Sequence, residues 1–253
     1  AGIAATSELI IVRVDAHSEL SEDYLTTAVE TLLRTDADNV GGLMAAQGVT
    51  LFEQAVATAM TSKLGVGSAA FHVGGSEGPA ETVYLGVFKR SALERVGGYD
   101  PTYTRAQDWE MNYRIRKSGG TVWFTPKLKV IYRPRSSFRK LAKQYFQYGQ
   151  WRRRVMQEHP DTVQSRSALR YLAPPLALSG VVLGTVLGLI GLITQVHLLV
   201  LWGFLMPAGY LASIGLATLL LAPKAKSSTG YLPFVLIVMQ LCWGAGFIRK
   251  AQI

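Results

Sequence analysis

Glu8-Leu-Ile-Ile-Val-Arg-Val14 runs directly into Asp15-Ala16-His17-Ser18. A short β-branched run of this kind reads as a strand, and it delivers the polar groups at its C-terminal end. Downstream, Leu25, Val29 and Leu33 recur at helical spacing across 21–34. Thr50-Leu-Phe-Glu53 and Ser91-Ala-Leu-Glu94 match the capping box, in which hydroxyl and carboxylate each satisfy a backbone N–H. Helices are therefore expected from about residues 51 and 92, the second stopped by Gly97-Gly98. Residues 81–88 read as a strand and 108–118 as a helix ending at Gly119-Gly120, where glycine takes the left-handed cap at least cost. Two further strands follow, over 121–125 and 128–133. Strands interleaved with helices predict an α/β layer that binds ligands at strand ends. The chain opens on Ala1 and almost immediately enters the first strand, which reads as an N-terminally incomplete domain.

Charge divides the 253 residues into three parts. Residues 1–113 carry 7 Lys and Arg against 15 Asp and Glu, a net −8. Residues 114–170 carry 15 against 2, a net +13, and the last 83 residues carry four basic groups and no acid. With 49% hydrophobic residues the chain is not a disordered one, and a single cysteine excludes a disulfide framework and a cysteine-rich zinc site.

No Asp, Glu, Lys or Arg occurs from Tyr171 to Ala222. Spans of about 20 apolar residues are needed to cross a bilayer, since lipid satisfies no backbone polar group. Residues 172–193 and 198–222 qualify, with Thr194–His197 as a tight hairpin between them, and 231–248 reads as a third span. The basic collar and the Lys224/Lys226 loop both face the cytoplasm by the positive-inside rule, but a third crossing puts Arg249 and Lys250 on the far side, so that either this helix is re-entrant, or further chain is missing, or two charges are too few to matter. The expected organisation is an α/β domain over 1–135, an amphipathic interface helix with the basic collar over 136–170, and transmembrane helices over 171–253. The expected location is the cell membrane, multi-pass, with the α/β domain cytoplasmic and no signal peptide ahead of it.

Three clusters carry chemistry. Asp15 and His17, two apart at a strand end, read most simply as a loop pair that caps the next turn; the functional alternative is a divalent cation that also holds a diphosphate. Asp108 and Glu110 open a helix, where the dipole alone favours carboxylates; the functional alternative makes one of them a general base. Phe138, Leu141, Tyr145, Tyr148, Trp151 and Val155 make one apolar helical face, with Arg139, Lys140, Lys143 and Arg152–Arg154 around it. Such a helix just before a span suits an anionic leaflet, and nucleic acid explains the charge less well. The glycine-rich 65–78 reads either as a lid presenting His72 and Glu77 or as a surface loop, and it lacks the P-loop pattern.

Taken in order, Val14-Asp-Ala-His-Ser18, Tyr84-Leu-Gly-Val-Phe-Lys-Arg90, Val96-Gly-Gly-Tyr-Asp100, Gln107-Asp108 and Gly119-Gly120 resemble a family 2 glycosyltransferase of GT-A (Rossmann-like) fold. The resemblance is to the succinoglycan and exopolysaccharide glucosyltransferase branch, and it extends over nearly the whole chain. It implies inverting transfer of a sugar from a nucleotide-sugar, a UDP-sugar by preference, to a polyprenyl-linked or glycan acceptor, with a divalent cation (Mg2+ or Mn2+). On that resemblance Asp15 and His17 occupy the metal-binding D-x-D place, the histidine lowering the negative charge there. Gln107-Asp108 occupies the family's Glu-Asp pair, with Asp108 the base. Gln147-Tyr-Gly-Gln150-Trp151 resembles Q-x-x-R-W, with Trp151 toward the acceptor sugar and Arg152 in reach to replace the missing arginine. The rival reading is a non-catalytic membrane scaffold derived from a truncated transferase.

Overall fold

The computed structural model describes residues 3–15, 18–164 and 168–249. In chain order its elements are β1 (Ile10–Val12), β2 (Glu19–Leu20), α1 (Tyr24–Thr35), β3 (Asn39–Ala46), α2 (Leu51–Met60), α3 (Lys63–Val66), α4 (Ala70–Val73) and β4 (Gly78–Pro79). There follow β5 (Tyr84–Lys89), α5 (Arg90–Arg95), α6 (Gln107–Lys117), β6 (Val122–Tyr132), α7 (Phe138–Glu158), α8 (Ala168–Thr194), α9 (His197–Ala225) and α10 (Leu232–Ile248). Two compact units form, Ala1–Gln47 with Met60–Pro134, and Gly48–Ala59 with Arg135–Ile253.

The first unit is a mixed sheet in the order β1-β5-β3-β6-β2, with β4 also against β6. Only β3 and β6 pair in parallel; the other neighbours are antiparallel. Two apolar cores cover its two faces. Tyr24, Ala28 and Leu32 of α1 pack on Val40, Val87, Leu128 and Val130. Leu93 of α5 and Met111 and Ile115 of α6 pack with Phe88, Val122 and Phe124. Adjacent Val87 and Phe88 thus face opposite cores, as the two-residue period of a strand requires.

The single strand β6 replaces the two expected over 121–125 and 128–133. Gly41 pairs with Phe124 and Leu43 with Lys129, so β6 advances five positions while β3 advances two. Three extra residues, an odd number, reverse the alternation: Val122 and Phe124 face one core, Leu128 and Val130 the other. The irregularity leaves no room on β3, where a methyl group at Gly42 would overlap the Leu128 carbonyl oxygen.

Helix starts follow local chemistry in one case and not in the other. At α2 the expected capping box forms, with Thr50 N donating to Glu53 Oε2 (3.0 Å) and Glu53 N to Thr50 Oγ1 (3.2 Å). At α5 it does not: the helix already begins at Arg90, and its N-cap, Lys89, makes no side-chain capping bond. The strand β5 feeds α5 without a loop, so Ser91 is inside the first turn. Helix α6 ends as expected, with Gly119 at φ 84° and Gly120 N donating to Ile115 O (2.9 Å).

The second unit is helical. Two helical stretches are long and apolar enough to cross a bilayer, Tyr171–Thr194 and His197–Ile248; the latter is α9, the 3-10 turn Lys226–Tyr231 and α10 end to end. Proline is tolerated inside α8 (Pro174, Pro175) and α9 (Pro207, Pro223). Large apolar side chains such as Leu183, Val186, Leu201, Leu205 and Leu219 stand exposed along both helices. Exposed apolar surface of that extent calls for a non-aqueous covering.

Candidate active site

Strand β1 continues beside β5 for one residue beyond Val12, because Arg13 N donates to Gly86 O (3.1 Å). The chain then turns, with Ser18 N donating to Asp15 O (2.9 Å). Asp108 arrives from elsewhere, in the first turn of α6, where the helix presents its partial positive charge. Ala106, just ahead of that turn, has φ 58°. A left-handed conformation costs a non-glycine residue about 1–2 kcal/mol, and strain of this kind gathers at functional sites.

Arg13 brings the two carboxylates together across 93 positions of sequence. Its Nη2 is 3.2 Å and its Nε 3.3 Å from Asp15 Oδ1, while its Nη1 donates to Asp108 Oδ1. The Tyr99 ring lies 5.4 Å from the guanidinium carbon, and its hydroxyl is 3.4 Å from Arg13 Nη1 and 3.5 Å from Asp108 Oδ1. The Arg13, Asp15 and Asp108 side chains keep 25–28% of their surface exposed, so the cluster is held but reachable. Asp108 Oδ2 has no hydrogen-bond partner among the described residues.

Two tyrosines complete the surroundings. Burial raises the hydroxyl pKa of Tyr99, with Arg13 opposing it and Asp15 adding to it. Burial likewise raises that of Tyr84, with the Asp15 charge contributing and Arg13 opposing. Both hydroxyls therefore stay protonated at neutral pH. Tyr84 owes its place to a bulge: Val40 pairs with Val87 and Gly42 with Tyr84, so β5 carries one residue more than β3. Leu85, inside the bulge, has φ 46°, and its carbonyl accepts from Tyr24 Oη (2.8 Å).

The remaining expected residues divide into separate groups. His17 lies outside the described residues. Gln107 is the first residue of α6, next to Asp108. His72 lies in α4 with its ring 4.2 Å from that of Phe71. Glu77 is tied down at the end of the glycine-rich stretch by Arg34 Nη2, Trp123 Nε1 (3.2 Å) and Thr125 Oγ1 (3.1 Å). These bonds, Arg34's first, lower its pKa, and they fasten one end of the stretch to α1 and β6.

Gln147, Gln150, Trp151 and Arg152 belong to α7, in the second unit. Trp151 is 9% exposed, and the Arg154 guanidinium carbon lies 5.0 Å from its ring centroid. Arg152 sits 4.1 Å from the Tyr171 ring centroid. A sugar stacking on Trp151, or a diphosphate paired to Arg152, must compete with these contacts.

Arg13, Tyr84 and Tyr99 were not among the expected site residues. Arg13 carried a signal, as a lone charge inside the run Ile10–Val14. The tyrosines lie in stretches that the family resemblance had marked without giving these side chains a role.

Of the residues expected at the cation, Asp15 is the described one. Among the described residues no group of three or more His, Cys, Asp and Glu side chains gathers in one place. The Asp15 and Asp108 carboxylates nevertheless close on one positive group, the Arg13 guanidinium. A hard cation such as Mg2+ commonly takes one or two carboxylates and completes its shell with water and substrate phosphates, so the partly exposed Asp15 carboxylate fits as its protein donor.

No family model matches the chain. Over 242 residues, 95% of its length, it is 32% identical to the succinoglycan biosynthesis protein ExoA of Rhizobium meliloti (strain 1021), of which the matched stretch covers 69%.

Proposed function

Because the chain belongs to the family 2 glycosyltransferases, in their exopolysaccharide-glucosyltransferase branch, we propose that it transfers a sugar from a nucleotide-sugar to a lipid-linked or glycan acceptor at the membrane. Its first unit is then a GT-A domain and the apolar helices of the second its membrane anchor. The observation that carries the reading is the meeting of Asp15 and Asp108 on one guanidinium.

The reaction is an in-line displacement at the anomeric carbon, with inversion. Asp108, through Oδ2, removes the proton of the acceptor hydroxyl as that oxygen attacks. Gln107 stands beside it to orient the acceptor. Asp15, with His17 two residues on, would hold a divalent cation. When bound, that cation neutralises charge developing on the nucleoside diphosphate as it leaves. Arg13 fixes the position of both carboxylates. Gln147, Gln150, Trp151 and Arg152 on α7 serve the acceptor and the leaving group, and His72 lies within the stretch that would cover the donor. The apolar helices and the basic face of α7 hold the chain at the cytoplasmic leaflet.

Asp108→Asn in the full-length protein tests the assignment. Turnover of nucleotide-sugar should fall by about 100-fold or more, the usual contribution of a positioned base, while donor binding by calorimetry persists. Transfer at the normal rate would remove Asp108 from the role of base.

A further inference from the structure

Helix α10 has 17 residues, which at about 1.5 Å per residue reach about 25 Å, short of a hydrocarbon core of about 30 Å. Helices α8 and α9, with 27 and 29 residues, exceed it. These two form an antiparallel hairpin with glycines at its seam. A methyl group at Gly191 would come within 2.6 Å of Val200 N, and one at Gly184 within 2.6 Å of Gly203 O. The tip of the hairpin is residues 194–196. Its base is the start of α8 and the end of α9.

Both ends of α10 lie at that base. Its first turn follows the end of α9 through the 3-10 turn Lys226–Tyr231. Its last turns return to the start of α8: the Trp243 ring lies 6.5 Å from that of Tyr171, and a methyl at Gly244 would sit 2.6 Å from Pro174 O. Helix α7 borders α10 throughout and runs the same way. Phe138, at its start, reaches Tyr231 through Phe52 (ring centroids 4.6 and 6.1 Å). Further along, Gly149 backs onto the Trp243 carbonyl and Gly246 onto the Phe146 carbonyl, each too closely for a side chain. At the far end Arg153 donates to the Phe247 (3.2 Å) and Ile248 carbonyls, capping the last turn of α10.

We propose that α10 does not cross the bilayer but lies against α7 as a second surface helix, so that the chain spans twice and Arg249 stays on the side of the basic collar. The proposal rests on the membrane reading given above. It accounts for two features that a third crossing leaves unexplained. A third span carries Arg249 to the side opposite the other basic residues, against the positive-inside rule; a surface helix returns it. Helix α10 is also apolar on every side, as a buried helix is. Leu232, Val235, Leu236 and Met239 are at most 1% exposed, whereas α8 and α9 leave long apolar faces open. The apolar face of α7 covers α10 from the water side, and the hairpin and lipid meet it from the other. The partner this paired surface fits is an anionic lipid leaflet, met by Arg139, Lys140 and Lys143 around α7.

Single cysteines in the full-length protein, with Cys242→Ala as background, test this with a membrane-impermeant maleimide on intact spheroplasts. His197→Cys, at the start of α9 next to the hairpin tip, should label before permeabilisation. Ser227→Cys and Arg249→Cys should label at least about tenfold more after it. Labelling of Arg249→Cys from outside, with Ser227→Cys protected, overturns the surface placement and leaves the membrane reading standing. Protection of His197→Cys, or release of the protein by alkaline carbonate, overturns the membrane reading itself. A fluorescent protein fused after Ile253, of a type that matures only in the cytoplasm, gives a check independent of the cysteines. Fluorescence is expected, and its absence in a membrane-inserted fusion overturns the proposal.

Discussion

Arg13→Gln removes a positive charge that Asp15 and Asp108 share, and the consequences differ for binding and for rate. A unit charge and a divalent cation about 5 Å apart interact by about 7 kcal/mol at an effective dielectric of about 20, and by about 1.7 kcal/mol in water. With a quarter of each side chain exposed to screening solvent, the guanidinium's opposition to an incoming cation lies near the lower of these limits, at about 1.7 kcal/mol. That is on the order of tenfold in affinity. Mn2+ binding to the full-length protein without donor, followed by the electron-spin signal of the free ion, should therefore tighten by about tenfold in Arg13→Gln. Transfer should slow by about tenfold or more, because Asp108 loses the contact that fixes it. Arg13→Lys separates the two effects: a compact ammonium keeps the charge but lacks the planar fork that serves both carboxylates. Its Mn2+ affinity should stay near that of the parent while transfer remains reduced. If Arg13→Gln changes neither quantity, Arg13 neither opposes a cation at Asp15 nor positions Asp108, and its contacts with the two carboxylates have no part in the mechanism.

Two further predictions concern the first unit. The bonds from Arg34, Trp123 and Thr125 lower the Glu77 pKa, so the stability they give is complete above the ordinary carboxylate range, about pH 4.3, and is lost as pH falls through the lowered value. Cleavage of the 65–78 stretch by added protease should rise on acidification over that window, and Glu77→Gln should flatten the pH profile; an unchanged profile would detach Glu77 from the stretch's order. Gly42→Ala forces a methyl into the Leu128 carbonyl and should cost about 3 kcal/mol or more, lowering Tm by on the order of 5–10 °C, while Gly215→Ala, with open space around it, should not.

The central strand shows where sequence reading stops. Residues 39–46 carry Gly41-Gly42 amid Val, Leu, Met and Ala, and neither strict alternation nor β-branching announces a strand. The glycines that hide it are required by it, since β5 and β6 both close on β3 where their registers shift. The same shift misled the reading of β6. Pro126 falls between the two expected strands, yet a proline is tolerated at an irregularity where its missing N–H is not needed. By contrast β1, α1, α6 and the α8–α9 hairpin were visible, because each owes its form to periodicity or composition within its own segment. Gly119 could be read as the end of α6 for the same local reason.

The site divides along that line too. Asp15 and Asp108 could be named because each closes or opens an element whose own sequence identifies it. Their common partner could not, because Arg13 acts through a contact spanning 95 positions, which no local pattern encodes. The same limit explains Trp151, whose place in a recognisable motif suggested an open sugar platform, while Arg154, three residues on, lies over its ring. On a helix, residues three apart share a face, so that cover was implicit in the sequence once α7 was taken as a helix. A motif residue's availability is thus decided by its i+3 and i+4 neighbours as much as by its identity. An Arg154→Ala variant would expose the Trp151 face without altering the motif itself.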